Sequence, residues 1–215
     1  MKIWLATADL KLIEEYFPYG LFAGVITNPH VVAEAQRPPV EFFREVCRLA
    51  PAAYYQLREA SAADMLAEAE KFIAIDPQKM RIKVPATPAG LQTIRALANR
   101  GHEVMATVVP TTAWLVFALA AGARTVAPYG SMLQRRGLAS KLDEVIAMQR
   151  IIDAQRSSVD LCVGIYDPTE FSQYAREGIR SCFVWGRDVP AFLNQPLVDE
   201  ALQGFAGDWK AIEQY

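Results

Sequence analysis

The sequence predicts an α/β protein: a single-domain (β/α)₈ TIM barrel with an extra C-terminal helix. Three observations predict it. Eight short apolar runs alternate with longer segments of helical periodicity along the whole chain. The runs are apolar throughout, as parallel strands covered on both faces must be. The glycine signature of a dinucleotide-binding open sheet is absent after the first run, where Ala6-Thr7-Ala8-Asp9 stands. A doubly wound open sheet is therefore the second choice. The chain has 215 residues, 52% of them hydrophobic, and barrels of this type are typically ~250 residues and can be smaller.

The strand candidates are Lys2–Ala6, Gly24–Thr27, Ala52–Gln56, Met80–Val84, Val104–Val108, Arg124–Ala127, Val159–Gly164 and Ile179–Val184. Between them, Glu41–Leu49 sets Phe42, Val46 and Leu49 at helical spacing. Ser61 can cap a helix reaching Phe72. Pro88–Ala98 carries Leu91, Ile94 and Leu97 on one face. Thr112–Ala121 is apolar nearly all round, so both its faces are expected to be covered. Ser140 can cap a helix to Ala154, and Asp167 one to Glu177, which Gly178 can close. A last helix is expected from about Val198 to Glu213.

No linker, repeat or low-complexity stretch divides the chain, so residues 1–215 read as one domain. Within it, the C-terminal segment 196–215 carries Leu197, Val198, Leu202, Phe205 and Trp209. So much apolar surface at a chain end is expected to dock on a neighbouring subunit.

Charge narrows the partners. The net charge is -2, with both signs mixed throughout. Nothing resembles the basic stripe of a nucleic-acid binder or a polybasic membrane segment, so neither partner is expected. The N-terminus lacks a signal-peptide core, and no apolar run reaches the ~20 residues of a membrane helix. Cys47, Cys162 and Cys182 are odd in number and show no C-x-x-C spacing. That pattern suits a reducing compartment, and the expected location is cytoplasmic.

The chemistry centres on Arg81-Ile82-Lys83-Val84-Pro85-Ala86-Thr87-Pro88-Ala89-Gly90. Pro85 stops a strand, Thr87 can cap the helix that Pro88 begins, and Lys83 sits near the carboxyl end of that strand. Burial disfavours an ammonium and lowers its pKa, which yields the neutral amine that attacks a carbonyl. The bland alternative is a lysine that reaches solvent or pairs with a carboxylate.

In such a barrel the chemistry belongs at the carboxyl ends of the strands. Collected there are Thr27 and Asn28, Gln56, Lys83, Thr107 and Tyr129. These strand ends supply no Asp or Glu, and His30 and His102 stand alone, so neither metal nor cofactor is expected. A lysine among amide, hydroxyl and phenol groups suits imine chemistry. Each residue also has a plain reading: Asn28-Pro29 as a turn, Gln56 as a strand-end donor, Tyr129 as a packed aromatic.

Three motifs carry a resemblance. Ile26-Thr27-Asn28-Pro29, Lys83-Val84-Pro85-Ala86-Thr87-Pro88-Ala89-Gly90-Leu91 and Ala127-Pro128-Tyr129 together resemble the small transaldolase family, in its fructose-6-phosphate aldolase-like branch. The likeness runs from Leu5 to the helix with Trp209. It implies a (β/α)₈ barrel, class I aldolase chemistry without a metal, and a homopentamer or homodecamer. It implies Lys83 as the Schiff-base lysine and Tyr129 as the acid/base phenol, working through a water held by Thr107 and Gln56. Thr27 and Asn28 would hold donor hydroxyls.

Three positions depart from that pattern. Ala6 stands where the family has a strand-one aspartate, Met132 where the aldolase branch has an arginine, and Gly164 where it has a serine. The first is a donor contact and the other two hold phosphate. Arg58, Arg135, Arg136 and Arg187 could compensate, and Arg187 is the leading candidate for an anion contact, against a solvated surface arginine. The expected substrate is a small carbonyl compound or sugar, phosphorylated or not. The expected function is a transaldolase-like class I aldolase with altered donor or phosphate recognition. The alternatives are a transaldolase (a dihydroxyacetone transferase) and a non-catalytic barrel kept for ligand binding.

Overall fold

The structure is a computed structural model that describes residues 1–213. Gln214 and Tyr215, the end of the expected C-terminal segment, lie outside the described residues. Eight strands pair in parallel, each with its sequence neighbours, and β1 closes on β8. They are β1 (Lys2–Ala6), β2 (Phe22–Ile26), β3 (Ala53–Gln56), β4 (Met80–Pro85), β5 (Val104–Val109), β6 (Thr125–Pro128), β7 (Asp160–Gly164) and β8 (Ser181–Trp185). The helices are α1 (Leu10–Tyr16), α2 (Pro29–Glu34), α3 (Pro39–Leu49), α4 (Ala62–Ile73), α5 (Pro88–Asn99), α6 (Thr112–Ala121), α7 (Gly130–Arg135), α8 (Lys141–Ala154), α9 (Pro168–Arg176), α10 (Val189–Leu193) and α11 (Pro196–Ile212). The closed barrel and the extra C-terminal helix are as expected. The short helices α1, α2, α7 and α10 were not foreseen.

Alternation along each strand divides the core in two. Ile82 and Val84 of β4 face outward with Leu5, Val25, Val126 and Val184, into the layer beneath the helices. Trp4, Tyr54, Met105 and Cys162 belong to a separate cluster that fills the barrel. Trp4 and Tyr54 put their ring centroids 4.7 Å apart there. The barrel is thus a packed core, and room for a ligand is left only at its mouth.

Expectation and structure differ on α6. Leu115, Ala118 and Ala121 are buried, but Val116 and Phe117 are exposed. One apolar face of this helix is therefore uncovered by the described residues. The described residues of α11 are all exposed as well. No helix among the described residues is long and apolar enough to cross a membrane. The three cysteines are buried and free.

The turn after β4 is tightly built. Thr87 accepts a hydrogen bond from the Gly90 N–H at 3.0 Å and caps α5. A Cβ at Gly90 would overlap the Pro85 carbonyl oxygen, so only glycine fits there. Thr87→Ala should cost about 1 kcal/mol, or roughly 2–4 °C in melting temperature for a chain this size. Gly90→Ala must displace backbone, so thermal melts should show a larger fall than for Thr87→Ala.

Candidate active site

Lys83 points inward from β4 and is only 6% exposed. Its register neighbours are Gln56 on β3 and Met105 on β5. Its amine donates to the Thr27 carbonyl at 3.3 Å, and no carboxylate pairs with it among the described residues. Burial pushes the amine down to about 8. The nearby Cys162 thiol is pushed up to about 12 by burial, so at neutral pH it is uncharged and cannot hold the ammonium. At pH 7 about one Lys83 in ten is neutral, against roughly one in three thousand for a free lysine.

A cavity of about 390 Å³ opens above Lys83 at the carboxyl ends of the strands. Gln56, Lys83, Thr107, Tyr129 and Asn28 all line it, so five of the seven expected site residues come together. Thr107 faces the cavity by the ordinary alternation that also turns Met105 inward and Ala106 outward. An irregularity follows it: Val108 has φ +59°, where a β-branched residue is strained, and the β5–β6 register shifts between Ala106 and Val109. Thr107 lies buried in the cavity wall, while Val109 is turned into the outer layer. Tyr129 stands at the start of α7, 42% exposed, so its phenol is open to the cavity mouth.

The other two residues are placed differently. The Thr27 hydroxyl donates to the Tyr54 carbonyl at 2.8 Å and is buried away from the cavity. What Thr27 offers the site is its backbone oxygen, which positions Lys83. Arg187 lines a separate groove of about 650 Å³ together with Ala6. Its guanidinium sits 5.0 Å from the Trp185 ring centroid, and its side chain is 69% exposed. Trp185, the β8 partner of Ala6 in register, lines both the groove and the cavity and stands between them. Asn28 spends its side-chain oxygen on the Val31 N–H at 2.9 Å, capping α2, which leaves its amide N–H groups for a ligand.

A family model described as transaldolase/fructose-6-phosphate aldolase matches residues 56–173. A protein named probable transaldolase from Rhodospirillum centenum is 32% identical over 217 residues, covering 100% of this chain and 93% of that protein. This chain belongs to the transaldolase/fructose-6-phosphate aldolase family. Similar proteins with the same printed name come from Geobacillus kaustophilus, 28% identical over 97% of this chain and 98% of that protein, and from Desulfotalea psychrophila, 29% identical over 100% of both. It is thus an enzyme of a transferase and aldolase family.

Sequence reasoning missed part of this family member's cavity wall. Lys141, Tyr166 and Phe183 line it, as do the departing residues Met132 and Gly164. Arg135, one of the four arginines considered, lies at this cavity; Arg58 and Arg187 lie elsewhere. The signal for Lys141 was present in the sequence: a cation in the first turn of a helix opposes the dipole and needs a reason.

The low Lys83 value gives a stability prediction with a definite sign. Below about pH 8 both folded and unfolded chains hold this proton, and the folded chain bears the full desolvation penalty. Between about 8 and 10.5 the unfolded chain binds more protons, so stability rises with pH. Lys83→Met should therefore raise the melting temperature at pH 7, by up to about 3 kcal/mol of stability. That advantage should fade as the pH approaches 10.5. Paired thermal melts across this range check it.

Proposed function

We propose that this chain is a class I aldolase that forms a Schiff base through Lys83. The observation that carries this reading is the buried Lys83 amine, without a carboxylate partner among the described residues, in one cavity with Gln56, Thr107 and Tyr129. The neutral amine attacks the carbonyl carbon of a ketone, and loss of water gives a protonated imine. The bond between the α and β carbons of the bound ketose breaks as the β hydroxyl loses its proton. Its electron pair moves into the imine, leaving an enamine and a released aldehyde. The enamine then takes a proton at carbon, and water hydrolyses the imine. Tyr129 moves these protons through a water between Gln56 and Thr107, and such relays contribute roughly 10²–10⁴-fold. Asn28 holds a donor hydroxyl through its free amide.

The relatives' printed names favour a second reading, a transaldolase that passes the enamine to another aldehyde. Release of free donor in the absence of any acceptor aldehyde marks the aldolase; strict dependence on acceptor marks the transaldolase. Borohydride should trap a ketone irreversibly on the protein, and Lys83→Met should abolish the adduct by mass spectrometry. Unchanged trapping in that variant removes Lys83 from the mechanism.

Ala6 bears on the donor. A hydrogen bond to a charged group is worth roughly 1.5–3 kcal/mol, so lacking a carboxylate weakens hydroxylated donors by about one to two orders of magnitude. Ala6 belongs to the inward-facing cluster but lines the groove beside the cavity, and Trp185, its β8 partner, borders both. Hydroxyacetone should be trapped more readily than dihydroxyacetone, and Ala6→Asp should shift the ratio toward dihydroxyacetone. A wild-type preference for dihydroxyacetone, or an unmoved ratio, removes position 6 from donor choice.

The same proposal covers assembly and location. The chain is one barrel domain whose last helix docks on a neighbouring subunit of a ring, a homopentamer or a doubled one, in the cytoplasm. A helix of 17 residues with Leu197, Leu202, Phe205 and Trp209 all exposed gains no packing from its own barrel. Truncation before Pro196 should dissociate the ring in light scattering, and a monomeric intact chain would sink the idea.

A further inference from the structure

A second lysine is built into the wall of the same cavity. Lys141 is the first residue of α8 after the Ser140 cap, a position normally in water, yet it is only 6% exposed. Its location is doubly unfavourable for a cation, through lost hydration and through the positive end of the helix dipole. The neighbouring sequence makes room for it. A Cβ at Gly130 would come within 3.2 Å of the Lys141 Cγ and 3.4 Å of its backbone. Gly130 therefore lets the lysine stem cross the start of α7 and enter the cavity wall.

The ammonium is held on the strand-seven side. It donates to the Gly164 carbonyl at 2.7 Å and to Glu170 Oε1 at 2.7 Å, and lies 4.7 Å from the Tyr166 ring centroid. The other Glu170 oxygen accepts from the Tyr166 N–H at 2.8 Å. An ammonium has three protons; the third has no hydrogen-bond partner among the described residues. Arg135, exposed and without an ion pair among the described residues, lines the same end. No Asp or Glu is among the residues that line the cavity. This wall thus carries one ammonium that is paired with Glu170 and has a proton unspent among the described residues, and one exposed guanidinium.

We infer that Lys141, with Arg135 at the mouth, binds an oxyanion carried by the substrate, and so sets specificity at the end of the cavity remote from Lys83. This rests on the Schiff-base reading of the same cavity. A phosphate or a carboxylate supplies the chemistry equally, since each accepts from an ammonium and a guanidinium. Glu170 has a second part in this account. It holds the ammonium in place while the cavity is empty, and it competes with the substrate anion for it. A purely structural Lys141–Glu170 staple would need no opening to the cavity, and its loss would change stability without changing which ketone is preferred.

The test is a ratio of borohydride-trapping efficiencies measured within each variant, so that general damage to the fold cancels. One arm compares fructose 6-phosphate with fructose. The other compares 4-oxopentanoate with 5-hydroxy-2-pentanone. The wild type should prefer the anionic member of at least one pair by roughly tenfold or more, and the responding pair identifies phosphate or carboxylate. Lys141→Met should bring that ratio down toward one, and Lys141→Arg should keep most of it. Glu170→Gln should raise it, because the competing carboxylate is gone. Should Lys141→Met fail to fold, the Lys141→Arg and Glu170→Gln ratios still decide. Equal trapping within both pairs in the wild type, or ratios unmoved by all these changes, overturns the role of Lys141. Absence of any trapped adduct with all four ketones overturns instead the Schiff-base reading beneath it.

Discussion

The rest of the site depends on the burial of one amine. Lys83 stands inside a closed parallel barrel with a single carbonyl oxygen as hydrogen-bond partner among the described residues, and a charge there is expensive. The surrounding chain keeps that cost from being relieved. Thr27, whose carbonyl meets the amine, is fixed by its own hydroxyl on the Tyr54 carbonyl. Cys162 beside it is a neutral thiol. The end of β4 is fixed in turn by the Thr87 cap and by the close approach of Gly90. A carboxylate at contact distance would stabilise the ammonium and remove the reactive neutral form.

Lys141 shows the contrast within the same cavity. Its desolvation also lowers its pKa, but Glu170 opposes that through a hydrogen bond and through its charge. Among the described residues one lysine has no acid beside it and becomes the nucleophile in our reading; the other has Glu170 at 2.7 Å. Two like groups with roles separated by their surroundings are a general device of active sites. Each lysine has one backbone carbonyl partner, that of Thr27 or of Gly164, so the separation comes from the one glutamate.

The barrel was legible because its signals are repetitive: apolar strands, capped helices, and a period that changes between them. Lys83, Gln56, Thr107, Tyr129 and Asn28 were legible because strand ends in such a barrel share one mouth. Thr27 illustrates the limit. Its place at a strand end says it is near the cavity, but not that its hydroxyl turns to a neighbouring carbonyl. Arg187 was placed correctly at the carboxyl end of β8, yet the bulk of Trp185 puts it on the far side of the wall. The Val108 irregularity needs the register of two strands, which one sequence does not display. Among helices, α1 was missed because Lys11, Glu14 and Glu15 mask a stripe of which only Ile13 and Tyr16 are buried.

Two of the three positions at which the sequence departs from the resemblance, Met132 and Gly164, lie on one side of the mouth. Gln56, Lys83, Thr107 and Tyr129 belong to β3, β4, β5 and the end of β6, and this half holds the set to which we assign imine chemistry. Met132, Gly164, Lys141, Phe183 and Trp185 line the other half, from α7 and α8 round through β7 and β8, while Ala6 of β1 lies in the groove beyond Trp185. These changes are not independent. A Cβ at Gly164 would meet the Phe183 ring at 2.6 Å, and the Gly164 carbonyl already takes the Lys141 ammonium. Restoring a serine at position 164 would therefore push the Phe183 ring and disturb the oxygen that holds Lys141. The glycine, the phenylalanine and the lysine are thus in contact through position 164, so a substitution there disturbs both neighbours. A barrel confines that disturbance because each strand end projects its side chains from its own rigid element, and the imine half need not move.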